Sequence, residues 1–150
     1  MLRMSLIHNK KAHFNYEITG KFDAGIELFG YEVKSVRNAQ GSLDGSYVTV
    51  RGNEAFLINS FIPPYQEKNA PESFDPRRNR KLLLTKKEIV EFANLEKTKG
   101  LTIVPISVYN KGRVLKVELG VGKGKKKFDK RESLKKQTVE RETKRQYSDR

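Results

Sequence analysis

The residues able to do covalent chemistry are few and do not assemble. The chain has two histidines and no cysteine. His8 and His13 are five apart, a spacing that puts them on different faces of a helix, and no further ligands lie near them in metal-binding order. Without cysteine there are neither disulfides nor thiolate metal sites. Gly120-Val121-Gly122-Lys123-Gly124 is superficially like a phosphate loop but lacks the Walker spacing before a helix. Carboxylates are scattered, with no acid/base pair. The expectation is a protein that is not an enzyme and carries no cofactor and no metal.

Charge is the stronger signal. Lysine and arginine number 31 against 18 acids, a net charge of +13 on 150 residues. So basic a small chain repels itself, and the usual reason is a polyanionic partner. The excess is uneven: residues 123–150 hold 12 basic and 5 acidic side chains and so carry +7 of it. Basic side chains neutralise phosphates without regard to sequence, while exposed rings stack on unpaired bases. Tyr31, Tyr65, Tyr109 and Phe128 are the candidate rings; most rings in a small β protein are core, but Phe128 sits among Lys125-Lys126-Lys127 and Asp129-Lys130-Arg131, with no apolar neighbour in its own segment.

The elements that must position these groups read mainly as short strands. Ser46 to Arg51 alternates, Gly52-Asn53 marks a two-residue hairpin, and Glu54 to Asn59 returns. A second hairpin is expected from Leu101 to Tyr109, turning at Asn110-Lys111-Gly112 and returning through Leu115, Val117 and Leu119; Pro105 requires an edge or a bulge. Phe14 to Ile18 and Phe22 to Phe29 read as an antiparallel pair around Thr19-Gly20. Strands at this spacing suggest a small barrel. Thr85-Lys86-Lys87-Glu88 is a capping box, with Leu84 and Ile89 as its staple, an apolar stripe of Ile89, Phe92 and Ala93, and Gly100 as the stop. A short helix is expected over Tyr31 to Asn38, a continuing strand being the alternative, since Val33 and Val36 do not fix the period.

Between Phe61 and Lys81 lies a long segment with four prolines and no periodicity, ending in Arg77, Arg78, Arg80 and Lys81. Beyond Gly120 the chain reads as too flexible and charged for a core. The division expected is a body over residues 1–122 and a basic tail over 123–150. Met1 to Ile7 is too short for a signal peptide, and no stretch approaches the ~20 apolar residues of a membrane span, so a cytoplasmic protein is expected.

These motifs, taken in order, resemble the small protein B family, the tmRNA-binding proteins of bacterial ribosome rescue. The resemblance runs from Asn9 to about Arg145. It rests on Asn9-Lys10-Lys11-Ala12, on Gly30-Tyr31-Glu32-Val33-Lys34-Ser35-Val36-Arg37, on Asp75-Pro76-Arg77 followed by Arg80-Lys81-Leu82-Leu83-Leu84, on Gly100-Leu101-Thr102-Ile103-Val104-Pro105, and on Gly124-Lys125-Lys126 with Asp129-Lys130-Arg131. Each string alone is weak; their order makes the signal specific. Tyr31 stands where Thr is usual, Thr85 where His often closes the Leu run, and Phe128 where His or Tyr commonly precedes Asp-Lys-Arg.

The resemblance implies a small antiparallel OB-like β-barrel with flanking helices and a basic C-terminal tail. It implies binding to the tRNA-like domain of tmRNA, and delivery to ribosomes stalled without a complete codon. There the protein meets small-subunit rRNA at the decoding site, and its tail becomes helical in the vacant mRNA channel. The residues expected on the RNA-binding surface are Lys10, Lys11, Glu32, Lys34, Ser35, Arg37, Asn38, Arg77, Arg80 and Lys81, with Glu32 orienting a neighbour or accepting from RNA hydroxyls. Those expected in the ribosome-binding tail are Lys123, Lys125, Lys126, Phe128, Asp129, Lys130, Arg131, Lys135, Lys136 and Arg141. The competing class is a structural ribosomal protein with a basic extension, which charge and size suit equally.

Overall fold

The computed structural model describes residues 4–125; the tail positions from Lys126 onward lie outside the described residues. The elements in chain order are β1 (Met4–His8), α1 (Ala12–Asn15), β2 (Tyr16–Ile26), α2 (Gly30–Arg37), β3 (Tyr47–Arg51), β4 (Glu54–Ile58), a 3₁₀ turn (Glu67–Asn69), β5 (Arg80–Leu83), α3 (Lys86–Lys97), β6 (Leu101–Lys111) and β7 (Val114–Gly124). All strand pairs are antiparallel, in the order β1-β6-β3-β4-β5-β2-β7. β7 also pairs with β6, so the hydrogen bonding runs round through six strands and returns to β6, with β1 added outside.

The β3–β4 hairpin follows from two residues. Gly52 and Asn53 take φ of 55° and 62°, the left-handed pair that a type I′ turn requires. The β6–β7 hairpin also forms, but its turn is Gly112-Arg113, closed by Lys111 opposite Val114; Asn110 and Lys111 belong to the strand. Only Gly112 has positive φ there, 64°, so a single glycine suffices to reverse the chain. The bulge required by Pro105 lies between Pro105 and Ser107.

Two expectations fail. Thr19-Gly20 is no turn: β2 runs straight through it as one strand, and Phe14 lies in α1. Gly20 is not among the positive-φ glycines a tight turn would use. It sits at a bulge against β7, where Ile18 faces Gly122 and Gly20 faces Val121. The glycine-rich run after Leu119 is likewise strand, since Val121 and Gly122 are buried and β7 continues to Gly124. A Cβ on Gly122 would sit 2.8 Å from Tyr16 Cβ, and one on Gly120 2.9 Å from both Ile106 Cδ1 and Ile18 Cγ2. These glycines allow close approach of three strands; they do not make a linker.

The core gathers Leu43, Val48, Leu57, Ile62, Leu82, Phe92, Val108, Val117 and Leu119. α3 closes one side of it. Its capping box is present, with Glu88 N–H donating to Thr85 Oγ1 at 3.2 Å and Thr85 N–H to Glu88 Oε1 at 3.1 Å. Phe92 is fully buried and meets Phe22 edge-on at 4.9 Å. Near the far end of α3, Glu96 accepts from Thr49 Oγ1 at 2.6 Å and from Val50 N–H at 3.1 Å, tying the helix to β3.

Gly41 makes a sharp test of this packing. Its φ is 133°, and a Cβ there would stand 2.8 Å from the Phe61 carbonyl oxygen. That carbonyl accepts from Ser42 N–H at 2.8 Å and has little room to yield. Gly41→Ala is expected to cost about 2–3 kcal/mol. Urea denaturation reads this as a lower midpoint at unchanged m; an unshifted midpoint would show that the loop relaxes freely.

Candidate nucleic-acid interface

The short helix expected around Tyr31 forms as α2, one residue earlier at its start. Phe29 is its N-cap residue, and the first turn is closed by Glu32, whose Oε1 accepts from Phe29 N–H at 2.8 Å. Glu32, Ser35 and Val36 point inward. Tyr31, Lys34 and Asn38 share another face, with Lys34 and Asn38 exposed. Asn38 Nδ2 donates to the Lys34 carbonyl at 2.7 Å and finishes the helix. Arg37 is exposed, and its Nη2 reaches across to the Arg113 carbonyl at 2.9 Å.

Glu32 is the centre of the arrangement. It is fully buried and holds two arginines from the proline-rich segment. Arg80 Nε and Nη2 donate to Oε2 at 2.9 and 2.6 Å, while Arg78 donates to both carboxylate oxygens. Arg80, also fully buried, fastens the loop around itself: it donates to the carbonyls of Ser60 at 3.0 Å, Pro76 at 2.9 Å and Arg78 at 3.1 Å. Ser35 Oγ donates to the Pro63 carbonyl, fixing the same segment to α2.

Burial is the largest influence on the Glu32 carboxyl and pushes its pKa up; the donors on Arg78 and Phe29, with the charge of Arg80, outweigh it and hold the pKa below 4.5. Burial acts the other way on the Arg80 guanidinium and draws its pKa below the ordinary arginine value, with the charge and hydrogen bonds of Glu32 opposing.

Three expectations about the surface are corrected. Arg80, Glu32 and Ser35 are not at a surface. A buried cation survives only when paired and fully hydrogen-bonded, and Glu32 with the loop carbonyls supplies that for Arg80. Glu32 orients neighbours; its carboxylate has no path to RNA hydroxyls.

What this rigid base presents outward is an aromatic shelf. The Arg78 guanidinium lies 4.4 Å over the Phe29 ring, Phe29 stacks on Tyr31 at 5.5 Å, and Tyr31 meets Phe74 edge-on at 5.0 Å. Phe29 is 50% exposed. Arg77 is exposed and lies 5.1 Å over the Phe61 ring. Such a surface couples flat faces for stacking to cations for phosphate. Arg78 and Phe29 were not singled out in sequence. The signal for Arg78 was its place in the arginine run, but nothing local distinguished it from its neighbours.

The remaining predicted residues lie elsewhere. The Lys81 amine pairs with Glu54 at 3.2 Å, beside a cavity that Asp23 and Lys116 also line. Lys10 and Lys11 are exposed at the β1–α1 link, and Lys123 is exposed in β7. Lys125 N–H donates to the Asn15 carbonyl at 2.9 Å. Lys126, Phe128, Asp129, Lys130, Arg131, Lys135, Lys136 and Arg141 lie outside the described residues. Among the described residues no group of three or more His, Cys, Asp or Glu is placed to hold a metal ion, and no helix is long and apolar enough to cross a membrane.

An antiparallel β body bearing lysines, arginines and open rings around a clamped helix and loop defines a small basic protein of the nucleic-acid-binding class. A sequence model of the SmpB protein family matches residues 6–149, and the chain belongs to that family. It is 48% identical over 139 residues to the SsrA-binding protein of Mesoplasma florum, covering 93% of each chain. It is 47% identical over 137 residues to the SsrA-binding protein of Prochlorococcus marinus strain MIT 9215, covering 91% of this chain and 84% of the relative. A solved chain described as "tmRNA-SmpB: a journey to the center of the bacterial ribosome" superposes with a TM-score of 0.68 at 40% identity, over 81% of this chain and 85% of that one.

Proposed function

We propose that this chain binds tmRNA through its tRNA-like domain and delivers it to ribosomes stalled without a complete codon. The observation that carries this reading is the match of residues 6–149, body and tail together, to the SmpB protein family, whose relatives are SsrA-binding proteins. The protein acts in the cytoplasm as a binding partner and not as a catalyst. The strand pairings that return to β6 are read as an OB-like barrel, a fold that carries nucleic acid on its face. Residues 126–150 act separately, on small-subunit rRNA along the mRNA channel. The decisive experiment recovers the protein from cells and sequences the RNA bound to it. Enrichment of tmRNA is expected; ribosomal RNA alone, retained through a high-salt wash, would replace this reading with that of a structural ribosomal protein.

Within the body, Lys34, Arg37, Asn38, Arg77 and Arg78 are proposed to meet the RNA, with Lys10, Lys11 and Lys81 as outlying phosphate contacts. Glu32, Ser35 and Arg80 hold the surface from beneath. Lys34→Ala combined with Arg77→Ala is expected to weaken tmRNA binding and to flatten its log–log salt dependence by about two. Both side chains are exposed, so folding should be spared. Filter binding across a salt series checks this, and an unchanged slope would move the interface off α2.

A further inference from the structure

The proline-rich segment carries a groove as well as its arginines. Phe61, Pro63, Pro64, Pro71 and Phe74 help to line a volume of about 500 Å³, within the size range of small-ligand sites. The segment's own backbone bonds hold it in shape. Ile62 N–H donates to the Pro76 carbonyl at 3.0 Å, Tyr65 N–H to the Tyr31 carbonyl at 3.1 Å, and Phe74 N–H to the Pro71 carbonyl at 2.9 Å. A site built in advance takes an occupant without the cost of ordering its walls.

The groove is opposite in charge to the rest of the chain. Glu67 and Glu72 are the charged residues that line it, and both are exposed. From Phe61 to Pro76 the segment holds Glu67, Glu72 and Asp75 against Lys68 alone, a net −2 on a chain of +13. Such a pocket repels phosphates and suits a ring carried by a basic peptide.

The chain holds such a peptide. Residues 126–150 have 10 basic side chains, the 12 of residues 123–150 less Lys123 and Lys125, against 5 acidic ones. The route from the root of this tail to the groove runs from residue to residue. Lys125 N–H donates to the Asn15 carbonyl at 2.9 Å, and Asn15 lines one cavity with Gly45. Asn59 Nδ2 donates to the Gly45 carbonyl at 3.4 Å, and Arg77 Nη1 to the Asn59 carbonyl at 3.4 Å. The Arg77 guanidinium lies over Phe61, a wall of the groove. Phe128, three residues beyond Lys125, can span at most about 11 Å, too little for that route. Tyr147, 22 residues beyond, can span up to about 75 Å. In an extended segment residues two apart share a face, so Arg145, Tyr147 and Asp149 would turn one way together, a cation, a ring and an anion. The groove offers their complements in Glu67 and Glu72, the proline and phenylalanine walls, and Arg77.

We propose that this groove is the dock of the chain's own tail. Tyr147 enters against Phe61 and Phe74, Arg145 pairs with Glu67 and Glu72, and Asp149 with Arg77. The same tail is needed in the mRNA channel, so the two placements exclude each other. The docked tail is withheld from other RNA until the channel takes it. Docking is independent of which RNA the body binds.

The chain has no cysteine, so Ser148→Cys in the full ¹⁵N-labelled protein carries a single nitroxide label. The amide signals of Glu67, Ala70 and Phe74 should lose intensity and recover when the label is reduced. Val90, exposed on α3, should keep its signal. Adding Tyr147→Ala should restore the three signals, and so should Glu67→Lys combined with Glu72→Lys, whose exposed positions spare folding. Four results would each overturn the proposal. The three signals could be unaltered, or the loss could be as deep at Val90, the mark of a tail with no fixed dock. The loss could survive either set of substitutions. Or it could arise when unlabelled ¹⁵N protein is mixed with labelled ¹⁴N protein, which would put the tail of a second copy in the groove.

Discussion

Replacing Glu32 by alanine is expected to destabilise the protein by about 3–5 kcal/mol, the range for removing one partner from a buried ion pair. The variant strands Arg80, which has no exposure and, among the described residues, no ion pair with a carboxylate other than Glu32. It also frees Arg78 and the Phe29 N–H, so the cap of α2, the arginine loop and the aromatic shelf loosen together. Against a total stability of about 5–15 kcal/mol for a domain of this size, the loss is severe. Glu54→Ala provides the contrast. It breaks the Lys81–Glu54 pair, both of whose side chains are well exposed, and should cost no more than about 1 kcal/mol. Urea denaturation of the two variants checks both values; a Glu32→Ala loss below that of Glu54→Ala would mean the cluster contributes nothing net.

The same cluster sets a pH dependence. The Glu32 carboxyl is depressed in the folded state relative to 4.5. Its contribution is therefore complete above the unfolded carboxyl's value and drains away as pH falls through the lower folded one. The stability gap between wild type and Glu32→Gln should be widest near neutrality and should narrow below pH 4.5. A gap that grew on acidification would reverse the assignment.

Removing residues 126–150 should leave tmRNA affinity largely intact and abolish tagging on stalled ribosomes. The cut belongs after Lys125, because β7 continues to Gly124 and a cut at Lys123 would remove its pairs with Glu17 and Leu101. In sequence, Asp129 to Glu132 has the pattern of a capping box, and Glu132–Lys136 and Glu140–Lys144 have the order that favours i, i+4 pairing were a helix to form. Each such pair supplies only about 0.2–0.5 kcal/mol. Ordering each residue costs about 1–2 kcal/mol, so an isolated peptide should show little helix by circular dichroism. Phosphates along a channel would supply the balance by engaging Lys130, Arg131, Lys135, Lys136 and Arg141, with Phe128 stacking at the entry. Lys136→Pro should then abolish tagging while sparing tmRNA binding. Full tagging by that variant would remove the helix from the mechanism, and orders-of-magnitude loss of tmRNA affinity in the truncation would end the division of labour.

Local chemistry was legible in the sequence wherever it was also sufficient. Gly52-Asn53 and the Thr85–Glu88 box need nothing beyond their own few residues, and both appear as read. Glycine misled where its use was tertiary. Gly20, Gly120 and Gly122 look like turn or linker residues in one dimension, yet they serve a bulge and close strand contact. The arginine run misled for a related reason. Its members look alike in sequence, and only the fold brings Glu32 from 48 positions away to bury Arg80 while leaving Arg77 exposed. The tmRNA reading itself came from ordered motifs, since composition alone could not separate it from a ribosomal protein.

The pairing of β2 with β7 also sets a timetable for synthesis. Thr19 Oγ1 donates to the Val121 carbonyl across 102 positions of sequence, so β2 leaves the ribosome long before its partner exists. At about 5–20 residues per second that interval is roughly 5–20 s. Throughout it the β2 edge lies open to any strand that reaches it, and hydrogen bonding cannot return to β6 until the last strand of the body is made. Nascent chains translated close together on one message would meet in this state. Mutual repulsion from the +6 that residues 1–122 carry, the +13 of the whole chain less the +7 of residues 123–150, then guards the growing chain while its ring of strands is still incomplete.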